Sequence, residues 1–84
     1  MAINWKIVAS NISEDREELE RVEALVAAGT PPEDEEFQVL MQHAFHHLSV
    51  AWNARNESLE RYANLSHDDF ERWGRLPQDL AFGD

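Results

Sequence analysis

The sequence predicts an all-α domain: an antiparallel helical hairpin with a long central helix, and a short C-terminal helix folded back on it. Three observations predict it. From Phe37 to Ala63 the apolar residues Phe37, Leu40, Met41, Ala44, Phe45, Leu48, Ala51, Trp52, Leu59, Tyr62 and Ala63 recur at helical steps and fit no strand. The prolines and glycines fall only between periodic segments. Helix start signals stand at Ser13, Thr30 and Ser66, each just ahead of such a segment.

Residues 1–12 form an N-terminal arm. Ile3-Asn4-Trp5-Lys6-Ile7-Val8 alternates only weakly, and a lone strand has nothing to pair with. The arm is expected to be helical or irregular, with Trp5 and Ile7 added to the core. Helix one is expected over 13–28. Ser13 is the candidate cap, and Glu14, Asp15, Glu17 and Glu18 fill the first turns, where free amides and the helix dipole favour carboxylates. Leu19, Val22, Leu25 and Val26 make its narrow apolar stripe, and Gly29 can close the last turn in a left-handed conformation.

Helix two is expected over 31–64. Thr30 reads as its cap, Pro31 as its first residue and Glu33 as the partner in a capping box. Gly29 followed at once by Thr30 leaves almost no loop, so helices one and two must turn back on each other. Asn53, Asn56 and Ser58 are poor helix-interior residues, so a bend is expected near 53–58. Helix three, over 67–75, is capped by Ser66 with Asp69 completing the box, and Phe70 and Trp73 anchor it. The tail 76–84 keeps Leu80 and Phe82 as tethers.

Eighty-four residues make one small domain, a size at which a single core is barely sufficient and association with another chain often helps. There is no cysteine, which excludes disulfides, thiolate metal sites and thiol catalysis. The N-terminal apolar run is too short for a signal peptide or a membrane span, and residence in the cytoplasm is the expectation. A net charge of −10 opposes direct nucleic-acid binding and anionic membrane surfaces. The acidity has three readings: a solvated surface, recognition of a basic protein partner, or mimicry of nucleic acid by an inhibitor.

Two clusters are candidates for chemistry. His43 and His47, four apart, lie on neighbouring helical turns and together suit one divalent transition metal, with any third ligand coming from helix one or another subunit. The glutamates that complete known helical metal motifs are missing at the matching positions, and the competing reading is two packed, hydrogen-bonded histidines. Arg55 interrupts the apolar stripe. A buried arginine needs a carboxylate, with Asp69, Glu71 and Asp79 as candidates, and as such a clasp its replacement by alanine should cost about 3–5 kcal/mol. The competing reading is a ligand site of Arg55 lined by Trp52, Tyr62 and Trp73.

Val39, His43 and Val50 form a second apolar line on the back of the long helix. A helix apolar on two sides is usually sandwiched, so this line is the expected interface of a homodimer. No nucleophile–base arrangement, phosphate-binding loop or spaced carboxylate pair appears. The resulting expectation is a non-enzymatic protein without cofactor, acting through protein–protein contact.

Overall fold

The structure, a computed structural model, describes residues 2–80. All regular structure among them is helical: α1 (Trp5–Ala27), α2 (Asp34–Asn53), α3 (Leu59–Ala63) and α4 (His67–Trp73). α1 and α2 form an antiparallel hairpin, and the two short helices pack back on its open end.

α1 begins eight residues earlier than the Ser13 signal indicates. Asn4 caps it, its side chain accepting from the Lys6 amide at 3.2 Å. Much of the expected arm is therefore the first turns of the helix. The capping pattern at Ser13 is overridden because Ile7 and Asn11 carry the buried face of α1 upstream of it. Ile7 is fully enclosed, whereas Trp5 remains two-thirds exposed and adds nothing to the core.

The end of α1 follows its glycine. Gly29 takes φ +78°, the Thr30 amide donates to Leu25 and the Gly29 amide to Val26, the paired bonds of a left-handed helix stop. Thr30, Pro31 and Pro32 lie outside α2. Its cap is Glu33, which makes no side-chain capping bond, so the box expected from Thr30 and Glu33 does not form. Two consecutive prolines explain this. Pro32 biases Pro31 towards extended backbone and delays the first helical residue. Asp34, Glu35 and Glu36 then fill the first turn and complement the dipole in place of a cap.

The long helix expected over 31–64 is broken outright. Residues 54–58 form a corner, and α3 starts afresh with Ser58 accepting from the Arg61 amide at 3.0 Å. The corner is a junction of backbone partners. Arg55 O accepts from the Asn4 amide at 2.6 Å, Glu57 O accepts from the Asn4 side chain at 3.0 Å, and Asn56 donates to Ala2 O at 3.0 Å. Asn53 donates to Trp73 O and Arg75 O, each at 2.8 Å, and so closes the C-terminal end of α4. The residues least suited to a helix interior are the ones with tertiary work at the corner.

α4 forms on the signal at Ser66. The Ser66 hydroxyl accepts from the Asp69 amide at 3.2 Å and the Asp69 carboxylate accepts from the Ser66 amide at 2.9 Å. Ile7, Val50, Ala54 and Trp73 form the buried core, with Tyr62 packed against it and stacked on Trp73 at 5.8 Å. This core sits where α1 begins and α2 ends. Of the tail, Phe82 lies outside the described residues.

Candidate functional site

Two features of the hairpin stand out: an open apolar face on one side and a buried polar ladder between the helices. The open face uses half of the long apolar stripe. Leu40, Ala44 and Ala51 are buried, but Phe37, Phe45 and Leu48 are about half exposed. On α1, Trp5, Ile12 and Leu19 are exposed as well, as is Leu76 beyond α4. A groove of about 420 Å³ runs between these residues and is lined by Trp5, Ile12, Phe45, Leu48, Leu76 and Leu80 among others. A second concavity shares Phe45 and Leu76 with it, and a third shares Ile12 and Leu48. The three adjoin, so the apolar face is continuous.

Arg55 sits at the edge of the groove. Its guanidinium lies 3.7 Å from the centre of the Trp52 ring and donates to Trp52 O at 2.6 Å. Its carboxylate partner is Asp79, at 3.9 Å. The Trp52 indole donates to Asp79 at 2.9 Å, and this bond, ahead of the Arg55 charge, holds the Asp79 carboxyl below its ordinary range. Arg55 therefore clasps the tail only loosely. Neither Asp69 nor Glu71 is its partner, and Tyr62 and Trp73 do not line the groove. The ligand site built from all four residues is not assembled.

The clasp on α4 belongs to Arg61. Its guanidinium makes a two-pronged contact with Asp69, and Arg72 donates to the same carboxylate at 2.8 Å. Asp69 is 3% exposed, and the Arg61 contact, then the bonds from Ser66, hold its carboxyl well below the usual range. Glu71 pairs with His67 instead. Sequence reasoning missed Arg61 because its position on the surface of a helical run carries no anomaly, whereas Arg55 interrupts a stripe.

The back line is divided between core and surface. Val50 belongs to the core at 6% exposure, because α1 crosses α2 on that side. Val39 remains half exposed, and His43 faces Glu18 of α1 at 3.4 Å. Val26, Val39, Leu65 and Phe70 are exposed as well as the front stripe.

The polar ladder runs along the helix contact. Asn11 is 3% exposed; its side-chain amide donates to Ile7 O at 2.9 Å and to the Tyr62 hydroxyl at 3.1 Å, and its carbonyl lies 3.1 Å from His47 Nδ1. Asp15, one turn on, is equally buried, and neither carboxylate oxygen has a hydrogen-bond partner; Glu18 Oε2 is also buried without one. Burial pushes the Asp15 carboxyl above its ordinary value, the His47 charge pulls it back, and Glu18 pushes it up further. His46 lies over the Phe70 ring at 4.7 Å; burial, then His47 and His43, lowers its pKa. As the side chains stand, no three of the described His, Asp and Glu residues converge to hold a metal ion.

Among the described residues no helix is long and apolar enough to cross a membrane. The fold and these features define an acidic all-helical hairpin with an open apolar face. Comparison with protein-family models, with curated proteins and with solved structures gave no match to this chain.

Proposed function

We propose that this is a non-enzymatic protein that acts through protein–protein contact, and that its first partner is a second copy of itself seated on the open apolar face. The observation that carries this reading is the continuous exposure of Trp5, Ile12, Leu19, Phe45, Leu48 and Leu76. Exposed apolar patches rimmed by polar residues mark interaction sites.

The surface area supports the same reading. A compact monomer of 9.7 kDa is expected to expose about 5,100 Å². This chain exposes 6447 Å², an excess of roughly 1,300 Å² over that scaling. Its radius of gyration of 14.6 Å likewise exceeds the ~12 Å expected for its length. If each of two copies buried an area equal to the excess, the total would reach roughly 2,600 Å², within the range of obligate homodimers. Two hairpins joined face to face would form a four-helix arrangement, with the glutamates of α1 left on the outside.

Sedimentation of the wild type and of a Phe45→Glu/Leu48→Glu variant tests the reading. Both side chains are exposed in the single chain, so the variant should keep its helical circular-dichroism spectrum. The wild type should sediment as a dimer at tens of micromolar and the variant as a monomer. A monomeric wild type at that concentration overturns the homodimer.

A further inference from the structure

The geometry points to a divalent transition-metal site of the zinc class between α1 and α2, with Asp15, Glu18, His43 and His47 as its ligands. The antiparallel crossing sets the four residues in a ladder. His47 stands opposite Asn11, and His43 opposite Glu18 at 3.4 Å. Asp15 lies between Asn11 and Glu18 along α1, three residues before Glu18 and four after Asn11, all on one helix face.

The strongest argument is the Asp15 carboxylate, which is buried with both oxygens unpartnered, beside the buried and unpartnered Oε2 of Glu18. A buried carboxylate without hydrogen bonds is costly unless a positive charge compensates it. Glu18 adds negative charge beside Asp15, although its side chain is 31% exposed and its Oε1 faces His43. No lysine or arginine among the described residues pairs with Asp15 or Glu18: Arg16 pairs with Glu20, and Arg55, Arg61 and Arg72 are engaged on Trp52 and Asp79 or on Asp69.

His47 is prepared for such a role by Asn11. The Asn11 amide donates to the Ile7 carbonyl and to Tyr62, so its oxygen is the atom that meets His47 Nδ1. Nδ1 then carries the proton in the neutral ring and Nε2 keeps a lone pair, an assignment made from the hydrogen-bond network. A ring nitrogen held by a second partner while the other is free is the usual arrangement for a metal-binding histidine. Two carboxylates and two imidazoles suit tetrahedral zinc.

Assembly requires movement of the two outer members. The Glu18 and His43 side chains are 31% and 57% exposed, and the proposed site needs both turned inward to join Asp15 and His47 on one ion. Asp15 and His47 keep their places. The site borders the proposed homodimer face: none of its four residues lines the main groove, but Asp15 lines the adjoining concavity beside Ile12 and Leu19.

Zinc titration by calorimetry, combined with thermal melts and the visible spectrum of the cobalt(II)-loaded chain, tests the assignment. After chelator treatment the wild type should take up one zinc ion per chain and melt higher with it, and cobalt(II) should give a tetrahedral spectrum. Asp15→Asn keeps the shape and removes a buried unpaired charge, so without metal it should melt no lower than wild type. It should bind zinc roughly a hundredfold more weakly or worse, beyond the loss typical of an outer-shell change. His67→Gln, at an exposed histidine, should bind as wild type does. No saturable zinc binding by the wild type, or equal binding by Asp15→Asn, overturns the site.

Discussion

From its place in α1, Asn11 bonds to side chains of both α2 and α3, and its removal tests how these helices are held together. Its amide and carbonyl contact Ile7 O in α1, the Tyr62 hydroxyl in α3 and His47 Nδ1 in α2. In Asn11→Ala the Ile7 carbonyl still has its helical bond, so that loss is small. The Tyr62 hydroxyl and His47 Nδ1 lose their partner, but both residues are only half-buried and regain some contact with water. Each orphaned group then costs about 1 kcal/mol, the lower end for such losses. With the small void left at a site 3% exposed, the total is about 2–3 kcal/mol. For a chain of this size that lowers Tm by roughly 10–20 °C. Circular-dichroism melts and urea titrations at one fixed protein concentration read it out. Tyr62→Phe and the double variant complete a cycle, in which a coupling of at least about 0.5 kcal/mol is expected for groups in direct contact. A loss under about 1 kcal/mol in Asn11→Ala, or strict additivity in the cycle, would refute the claim that this asparagine ties α3 to the hairpin.

Four further outcomes follow from the same geometry. Gly29→Ala meets nothing within 4 Å but must hold φ +78°, so it should cost about 1–2 kcal/mol from backbone strain alone. Gly74→Ala has an ordinary φ of −80° but sets a Cβ 2.6 Å from His46 Nδ1, so its loss, in the overpacking range of about 1–3 kcal/mol, should shrink when His46 is also made alanine; chemical denaturation separates the two causes. Arg55→Ala should cost about 1–2 kcal/mol, the scale of a cation–π contact plus one hydrogen bond, because its Asp79 partner is two-thirds exposed; a loss of 3 kcal/mol or more in equilibrium unfolding would restore it as a buried clasp. The acid limb of stability should divide by carboxylate: Asp69 has a depressed folded pKa, so its contribution is complete above the ordinary carboxylate pKa near ~4 and is lost as pH falls below it. Asp15 has a raised one, so its charge weakens the fold as pH rises through the ordinary range to the raised value, and the metal-free chain with Asp15→Asn should lose that penalty while Asp69→Asn loses the acid-sensitive gain.

The hairpin was legible because periodicity and stop signals are local. The steps from Phe37 to Trp52 define a helix whatever packs on it, and Gly29 and Ser66 act through bonds to residues within five positions. The start of α1 was not legible. Asn4 is a weaker signal than Ser13 followed by four acidic residues, and it prevails because its backbone and side chain also bind the corner at Arg55 and Glu57. The same applies to the break after Asn53. Poor helix propensity there indicates a bend, but a clean interruption depends on Asn53 reaching Trp73 and Arg75 some twenty residues away. For the sites, spacing singled out His43 and His47 and left any third ligand to helix one or another subunit. It had no means of choosing Asp15 and Glu18 from among the acidic residues of that helix, because only the register of the crossing decides which of them are buried. Arg55 was singled out for breaking a pattern, while Arg61, which holds the buried carboxylate, broke none.

The two proposals divide the length of the hairpin between them. The enclosed core of Ile7, Val50, Ala54 and Trp73 lies at one end, where α1 begins and α2 stops. Towards the Gly29 turn the enclosed apolar contact thins to Ala44 and Leu40, and Leu19, Val26 and Phe37 are about half exposed. In that distal half the helices face each other across a polar seam, where Glu18 meets His43, His47 meets Asn11, and the buried Asp15 has no partner. A hairpin with its core at one end and a charged seam along the middle should open from the turn first, since local stability follows local burial. A cation on the ladder acts on that seam from between the helices, and a second chain over Leu19, Phe37 and Phe45 acts from the open face. Each would raise the cost of the same local opening, so metal and dimer should reinforce each other. That coupling comes from the position of the core: moved to the middle of α1 and α2, it would make both the seam and the open face dispensable.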